Sequence, residues 1–173
     1  MANTQEKTGK IMMDAIQPDI QIDEADRKAV IDMLNRLLAD EHVLMLKAHN
    51  YHWNVLGEAF DPLHKLFGEQ YDQIGESVDE IAERARMLGG KAVGTLSEYL
   101  ALTRLSEHPG EYPDAMTMIT NLLNDHETLI GILREDVDAS AEKFGDVGSS
   151  DFLTGLLRMH EKMAWFLRAS LQK

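Results

Sequence analysis

The chain has no cysteine, which removes disulfide staples, thiolate metal sites and cysteine nucleophiles together. Any metal must therefore sit on imidazole nitrogens and carboxylate oxygens. Long apolar runs are also missing: nothing approaches the roughly 20 residues that span a bilayer, and the first twenty residues lack the apolar stretch of a secretory signal. The chain reads as cytoplasmic. Basic residues are few, 17 Lys and Arg against 30 Asp and Glu, for a formal charge of −13, so nonspecific attraction to phosphate backbones is not the main activity of the body. Proline occurs four times in 173 residues, which leaves room for long uninterrupted helices. With 44% hydrophobic residues, that length supports one domain with a real core.

What is present is helical periodicity, with strand alternation essentially absent. Residues 1–22 are polar, contain Pro18 and show no sustained period, so they read as a mobile arm ahead of a domain at 23–173. Asp23 is the expected N-cap of a first helix whose stripe is Val30, Met33, Leu34, Leu37, Leu38, Leu44, Met45, Ala48, His52 and Val55, ending near Leu56-Gly57. Asp61-Pro62 is a cap and first-turn signal for a second helix, carrying Leu63, Phe67, Ile74, Ile81 and Ala85 and stopping at Gly89-Gly90. A long connection with a short helix around Leu96 to Leu102 follows. A third helix is expected from Pro113 to Phe144, stopped by Gly145, and a fourth after Ser149 or Ser150. Short links make helices one and two, and three and four, antiparallel pairs. The long middle link lets helices two and three run parallel, which is the ferritin-like connection of an all-α four-helix bundle with a crossover carrying one extra helix.

On a 100° wheel the second helix places Asp72, Glu76, Asp79 and Glu83 on one ridge opposite its apolar stripe. Like charges one turn apart repel by a few tenths of a kcal/mol, so this is either a solvated face or a place for a cation. His64 sits at the edge between stripe and ridge. It lies about 17 residues from the Asp79/Glu83 pair, hence about 26 Å along the axis, too far to share one ion within a chain. Two copies of this helix packed antiparallel about a two-fold axis near Asp72 would bring His64 of one opposite Asp79 and Glu83 of the other, producing two equivalent sites. His52, at the end of the first helix, comes close to His64 through the short turn between the helices. His42, His49, His108, His126 and His160 lack matching partners and read as solvent-facing or structural. Glu41, on the first apolar stripe, is expected to be salt-bridged.

The run His49-Asn50-Tyr51-His52-Trp53-Asn54-Val55-Leu56-Gly57, then Phe60, Leu63-His64, and Asp79-Glu80-Ile81-Ala82-Glu83-Arg84 resembles the signature of the Dps family, the DNA-binding proteins from starved cells. The likeness extends over the whole helical body. It implies a hollow homododecamer that binds Fe(II) between two-fold related subunits, oxidises it with hydrogen peroxide in preference to oxygen, and stores ferric mineral against oxidative stress. By resemblance His52 and His64 come from one chain and Asp79 and Glu83 from its neighbour. Trp53 would pack at the interface, within quenching range of the iron. Many members carry an acid one turn after the second histidine. Here that position is Gly68, with Glu69 beside it; Glu69 points about 100° further round and becomes a ligand only if the helix distorts or the ion shifts.

Two other readings stand beside the ferroxidase. Some family members compact the nucleoid through a basic arm, but this arm sets Lys7 and Lys10 against Glu6 and Asp14 and is nearly neutral. A shell whose metal site has decayed has Gly68 as its one hint. Asp136, Asp138, Asp146 and Asp151, near the junction of helices three and four, are candidates for a negative pore, with helix caps and solvated loops as the alternative.

Overall fold

A computed structural model of the chain describes residues 17–172. The arm residues Lys7 and Lys10 lie outside them. The elements are α1 (Glu24–Asn54), α2 (Phe60–Met87), α3 (Leu96–Leu102), α4 (Ala115–Asp138), a π-helical turn (Ala139–Lys143) and α5 (Val147–Leu171). α1 packs along α2 and α4 along α5; α1 also meets α4, and α2 meets α5. The result is an all-α bundle of four long helices with a short helix in the connection between the pairs.

The core follows the stripes, with Met118 and Leu129 added on α4 while Met116 turns outward. Val30, Leu34, Leu37, Leu44, Phe67, Ile74, Ile81, Met118, Leu122, Leu129 and Leu133 are all within 1% of complete burial. At roughly 25 cal/mol per Å² of apolar surface, each such side chain contributes about 1.5–3 kcal/mol against the entropy of ordering the chain. Among the described residues no helix is long and apolar enough to cross a membrane.

The crossover is held by polar side chains of α1. Asn35 donates to the Lys91 carbonyl and accepts from the Val93 amide. Fully buried Asp40 accepts from the Thr103 hydroxyl, the Arg104 amide and the Arg104 guanidinium. α3 itself buries no residue. It persists through a capping box between Thr95 and Glu98 and the stacking of Tyr99 on His42, 3.8 Å between centroids, so His42 is structural. At the end of α2, Gly89 has φ +88, and a Cβ there would lie 2.5 Å from Cδ of Pro18. Only glycine allows the segment before α1 to lie so close.

Three helix boundaries differ from the sequence reading. α2 begins at Phe60, so Asp61 and Pro62 lie inside its first turn, and its cap residue Ala59 makes no side-chain bond. α4 is capped by Asp114, which accepts from the Met116 and Thr117 amides; Pro113 stands just outside. α5 starts at Val147, because Asp146 reaches forward to the Ser149 amide and supplies the cap expected of the serines. The third helix does run to Phe144, but its last turn is π-helical.

Candidate metal site

The turn from α1 to α2 brings His52 and His64 face to face, with ring centroids 3.7 Å apart and planes 21° from parallel. Each locks the other. His52 Nδ1 donates to the backbone carbonyl of His64 at 2.7 Å, and His64 Nδ1 donates to the carbonyl of His52 at 2.8 Å. A carbonyl can only accept, so in the neutral form each ring carries its proton on Nδ1 and its lone pair on Nε2. Fixing one nitrogen by a backbone acceptor is how metal-binding imidazoles are oriented and tautomerised.

Around this pair runs a continuous aromatic stack. Phe60 lies over His64 at 5.2 Å. Tyr71 meets His52 edge-on at 5.3 Å and stacks on His49 at 4.3 Å. His49 in turn lies 3.8 Å from Trp53. Trp53 and Leu56, 65% and 79% exposed, are the apolar surface beside the histidines. Gly68 is buried directly beneath the pair: a Cβ there would lie 3.1 Å from Nδ1 and 3.2 Å from Cε1 of His52. A side chain at this position would press on the His52 ring, which now sits directly against α2.

Asp72, Glu76, Asp79 and Glu83 are all exposed on α2, and none joins an ion pair among the described residues. Asp79 and Glu83 stay along the helix from the histidines, and no three His, Asp or Glu side chains gather into a metal-holding group among the described residues. Among the described residues the two histidines thus have no carboxylate gathered beside them. Glu69 faces elsewhere. It is exposed and lines a cleft with Gln70, Gln73, Lys162 and Phe166, between α2 and α5.

The four acids of the suggested pore separate in the structure. Asp146 is 3% exposed and fully engaged: it accepts from the Ser149 amide and hydroxyl and from the Arg84 guanidinium. Asp136 is half-buried, and burial raises its carboxyl pKa while Arg104 and Arg36 pull it back. Asp138 and Asp151 are exposed. Asp146 is therefore a buried cap and ion-pair partner and cannot line a pore.

A second histidine pair, which sequence reasoning left without partners, fills the bundle centre. His126 and His160 are fully buried with their Nδ1 atoms 2.8 Å apart, and His160 Nε2 meets Glu41 Oε1 at 2.7 Å. Glu41 thus has a histidine for its partner. Glu41 Oε2 and His126 Nε2 have no hydrogen-bond partner. Burial, and secondarily the neighbouring His160, hold the His126 pKa well below the usual imidazole range. The signal was present: Leu122, His126 and Leu129, like Leu156, His160 and Met163, keep helical spacing, so the histidines lie on core faces.

Comparison with known proteins places these features in context. The model of the ferritin-like domain matches residues 31–173. A low temperature-induced protein of Nostoc sp., itself uncharacterized, is 45% identical over 154 residues, covering 89% of this chain and 86% of that protein. DNA protection during starvation protein 2 of Bacillus anthracis is 39% identical over 147 residues, 84% of this chain and 99% of that one. Among solved structures, a Dps protein of Vibrio cholerae, described as a member of the ferritin-like diiron-carboxylate superfamily, superposes with a TM-score of 0.84 at 29% identity, over 90% of this chain and 97% of that one.

Proposed function

The chain belongs to the Dps family of ferritin-like proteins, and from that premise we propose that it is a cytoplasmic ferroxidase and iron store acting as a homododecamer. Fe(II) is its substrate and hydrogen peroxide the preferred oxidant. Each site is completed at a two-fold interface: His52 and His64 from one subunit, Asp79 and Glu83 from the next. The ferric product is kept as mineral inside the shell, which protects the cell under oxidative stress.

The observation that carries this reading is the crossed pair of hydrogen bonds between His52 and His64. It leaves two imidazole nitrogens of fixed tautomer on a half-buried surface, next to exposed Trp53 and Leu56. An apolar patch with two open donors but no oxygen ligands of its own suits a seam between copies. Asp79 and Glu83 are uncommitted carboxylates with the complementary chemistry. Mixed imidazole and carboxylate sets suit iron and leave coordination positions for an oxidant, and anionic oxygens favour the ferric product. Glu83 is the group left to hold a second ion, because Gly68 contributes nothing.

The test is oxidation of Fe(II) by peroxide, followed by ferric absorbance, in the parent and in His52→Ala and Asp79→Ala. Both variants should oxidise iron far more slowly while retaining the parent's size by light scattering. Equal rates in parent and variants overturn the site. Mixing inactive His52→Ala subunits with inactive Asp79→Ala subunits should restore part of the activity, since some interfaces then carry a complete ligand set.

A further inference from the structure

Arg27 carries a buried positive charge with no carboxylate to meet it. It is 7% exposed and joins no ion pair among the described residues. Its Nη1 donates to the Pro18 carbonyl, whereas its Nε is buried without an acceptor. That bond leaves unused the Nε–Nη2 edge, the fork that holds two oxygens of a phosphate or carboxylate. Taking a guanidinium out of water without a counter-ion is costly, and an unpaired buried donor calls for a partner. The side chain lines a cleft of about 680 Å³, open to solvent, where the start of α1 passes the end of α2. Lys28, Lys91, Glu24 and Asp32 share that lining. Lys28 is held by Asp32 at 2.5 Å, so Arg27 and Lys91 are the uncompensated cations, against the one carboxylate of Glu24. Arg86 donates to the Gly90 carbonyl and so offsets the negative end of the α2 dipole beside the cleft.

We propose that this cleft is a binding site for a phosphate-class oxyanion, with Arg27 holding two oxygens through Nε and Nη2 and Lys91 closing on a third. The charge and shape of the cleft favour phosphate over a carboxylate. A tetrahedral dianion offers oxygens to the fork and to a separate ammonium together, whereas a single carboxylate fills the fork and leaves Lys91 in water. The Pro18 carbonyl on Nη1 fixes the plane of the guanidinium, so the fork is oriented before the anion arrives and less freedom is lost on binding. In a chain of formal charge −13, a corner with two uncompensated cations, one of them buried, is the place where an anion meets least repulsion. Arg27 and His52 stand 25 residues apart on α1, hence about 38 Å along its axis. The anion site is therefore separate from the His52–His64 pair and holds whether or not that pair oxidises iron.

The experiment titrates inorganic phosphate, adenosine monophosphate and acetate separately into the full iron-free chain at neutral pH and low salt, read by calorimetry and, for the phosphates, by phosphorus resonance broadening. Iron is left out because ferric mineral takes up phosphate on its own. The parent should bind one phosphate per chain, with acetate weaker by roughly ten-fold or more, as expected when only the fork is filled. Arg27→Lys keeps the charge but loses the fork, and should weaken phosphate by about ten-fold. Glu24→Gln removes the opposing carboxylate at an exposed position and should tighten phosphate several-fold, which keeps the test decisive even if Arg27→Lys does not fold. Phosphate should also raise the thermal midpoint of the parent more than that of Arg27→Lys. Binding of both phosphates supports a site that accepts ester-borne groups; binding of the inorganic ion alone supports a site for the free ion. Three results overturn the proposal: no saturable phosphate binding in the parent, an affinity unchanged in both Arg27→Lys and Glu24→Gln, or acetate binding as tightly as phosphate.

Discussion

His52 and His64 hold each other by crossed hydrogen bonds, each ring donating its Nδ1–H to the other residue's main-chain carbonyl at 2.7 and 2.8 Å. The acceptors are backbone atoms, so replacing one imidazole does not release the other. His64→Ala should therefore keep His52 in the same tautomer, while metal affinity drops by at least the ~10–100-fold that changes outside the ligand shell already cost. Titration with Co(II), read by its visible spectrum and by calorimetry, checks this. A complete loss of the remaining site in His64→Ala would mean that ring stacking, not the carbonyl bond, orients His52.

Gly68 makes the second prediction. Its buried Cα lies so close under His52 that an alanine Cβ would sit 3.1 Å from Nδ1, tighter than ordinary packing. The ring or the helix must yield by a few tenths of an ångström. Gly68→Ala should weaken Co(II) binding by roughly ten-fold, the lower end of what misoriented imidazoles lose. Its thermal midpoint should stay close to the parent's, because alanine also suits a helix better than glycine. Unaltered affinity would show that His52 has slack.

The buried chain Glu41–His160–His126 predicts acid sensitivity. The folded state holds the His126 pKa well below its usual value, so the unfolded chain takes up a proton there that the folded one refuses. This contribution to stability is fully present above roughly pH 6.5, the unfolded imidazole value, and is lost progressively as pH falls below it, at up to about 1.4 kcal/mol per pH unit. His126→Gln should flatten the fall in denaturation midpoint between neutral and mildly acid buffers, even though it lowers stability at neutral pH. An unchanged pH slope would place the acid sensitivity elsewhere.

Asp146 joins the start of α5 to the end of α2 through the Ser149 amide, the Ser149 hydroxyl and Arg84. Its carboxylate is nearly inaccessible, while the Arg84 side chain is 22% exposed. Asp146→Ala removes a helix cap and leaves a partly buried guanidinium unpaired, a loss of about 2–4 kcal/mol measurable by urea denaturation. Asp138→Ala and Asp151→Ala, at exposed positions, should each change stability by less than about 1 kcal/mol.

The bundle was legible because its information is local and repetitive. Apolar residues every three or four positions place Leu34, Phe67, Leu122 and Leu153 in the core whatever the loops do. The short helix Leu96–Leu102 was found at its observed bounds, because its turn signals stand in sequence. The starts of α2 and α5 differ from the sequence reading by two to four residues: a cap is chosen by which side chain reaches a free amide, and Asp146 outcompetes the serines that follow it.

By itself the sequence determined the helical stripes, the residue types able to bind metal without cysteine, and the impossibility of His64 and Asp79 sharing an ion within one chain, since helical rise alone separates them. Tertiary structure decided what depends on rings meeting across helices. It stacked His52 on His64, set Gly68 beneath them and Tyr71 beside them, and turned His126 and His160 inward to Glu41. Spacing along one helix says which way a side chain points; only the packing of one helix on another says what it meets.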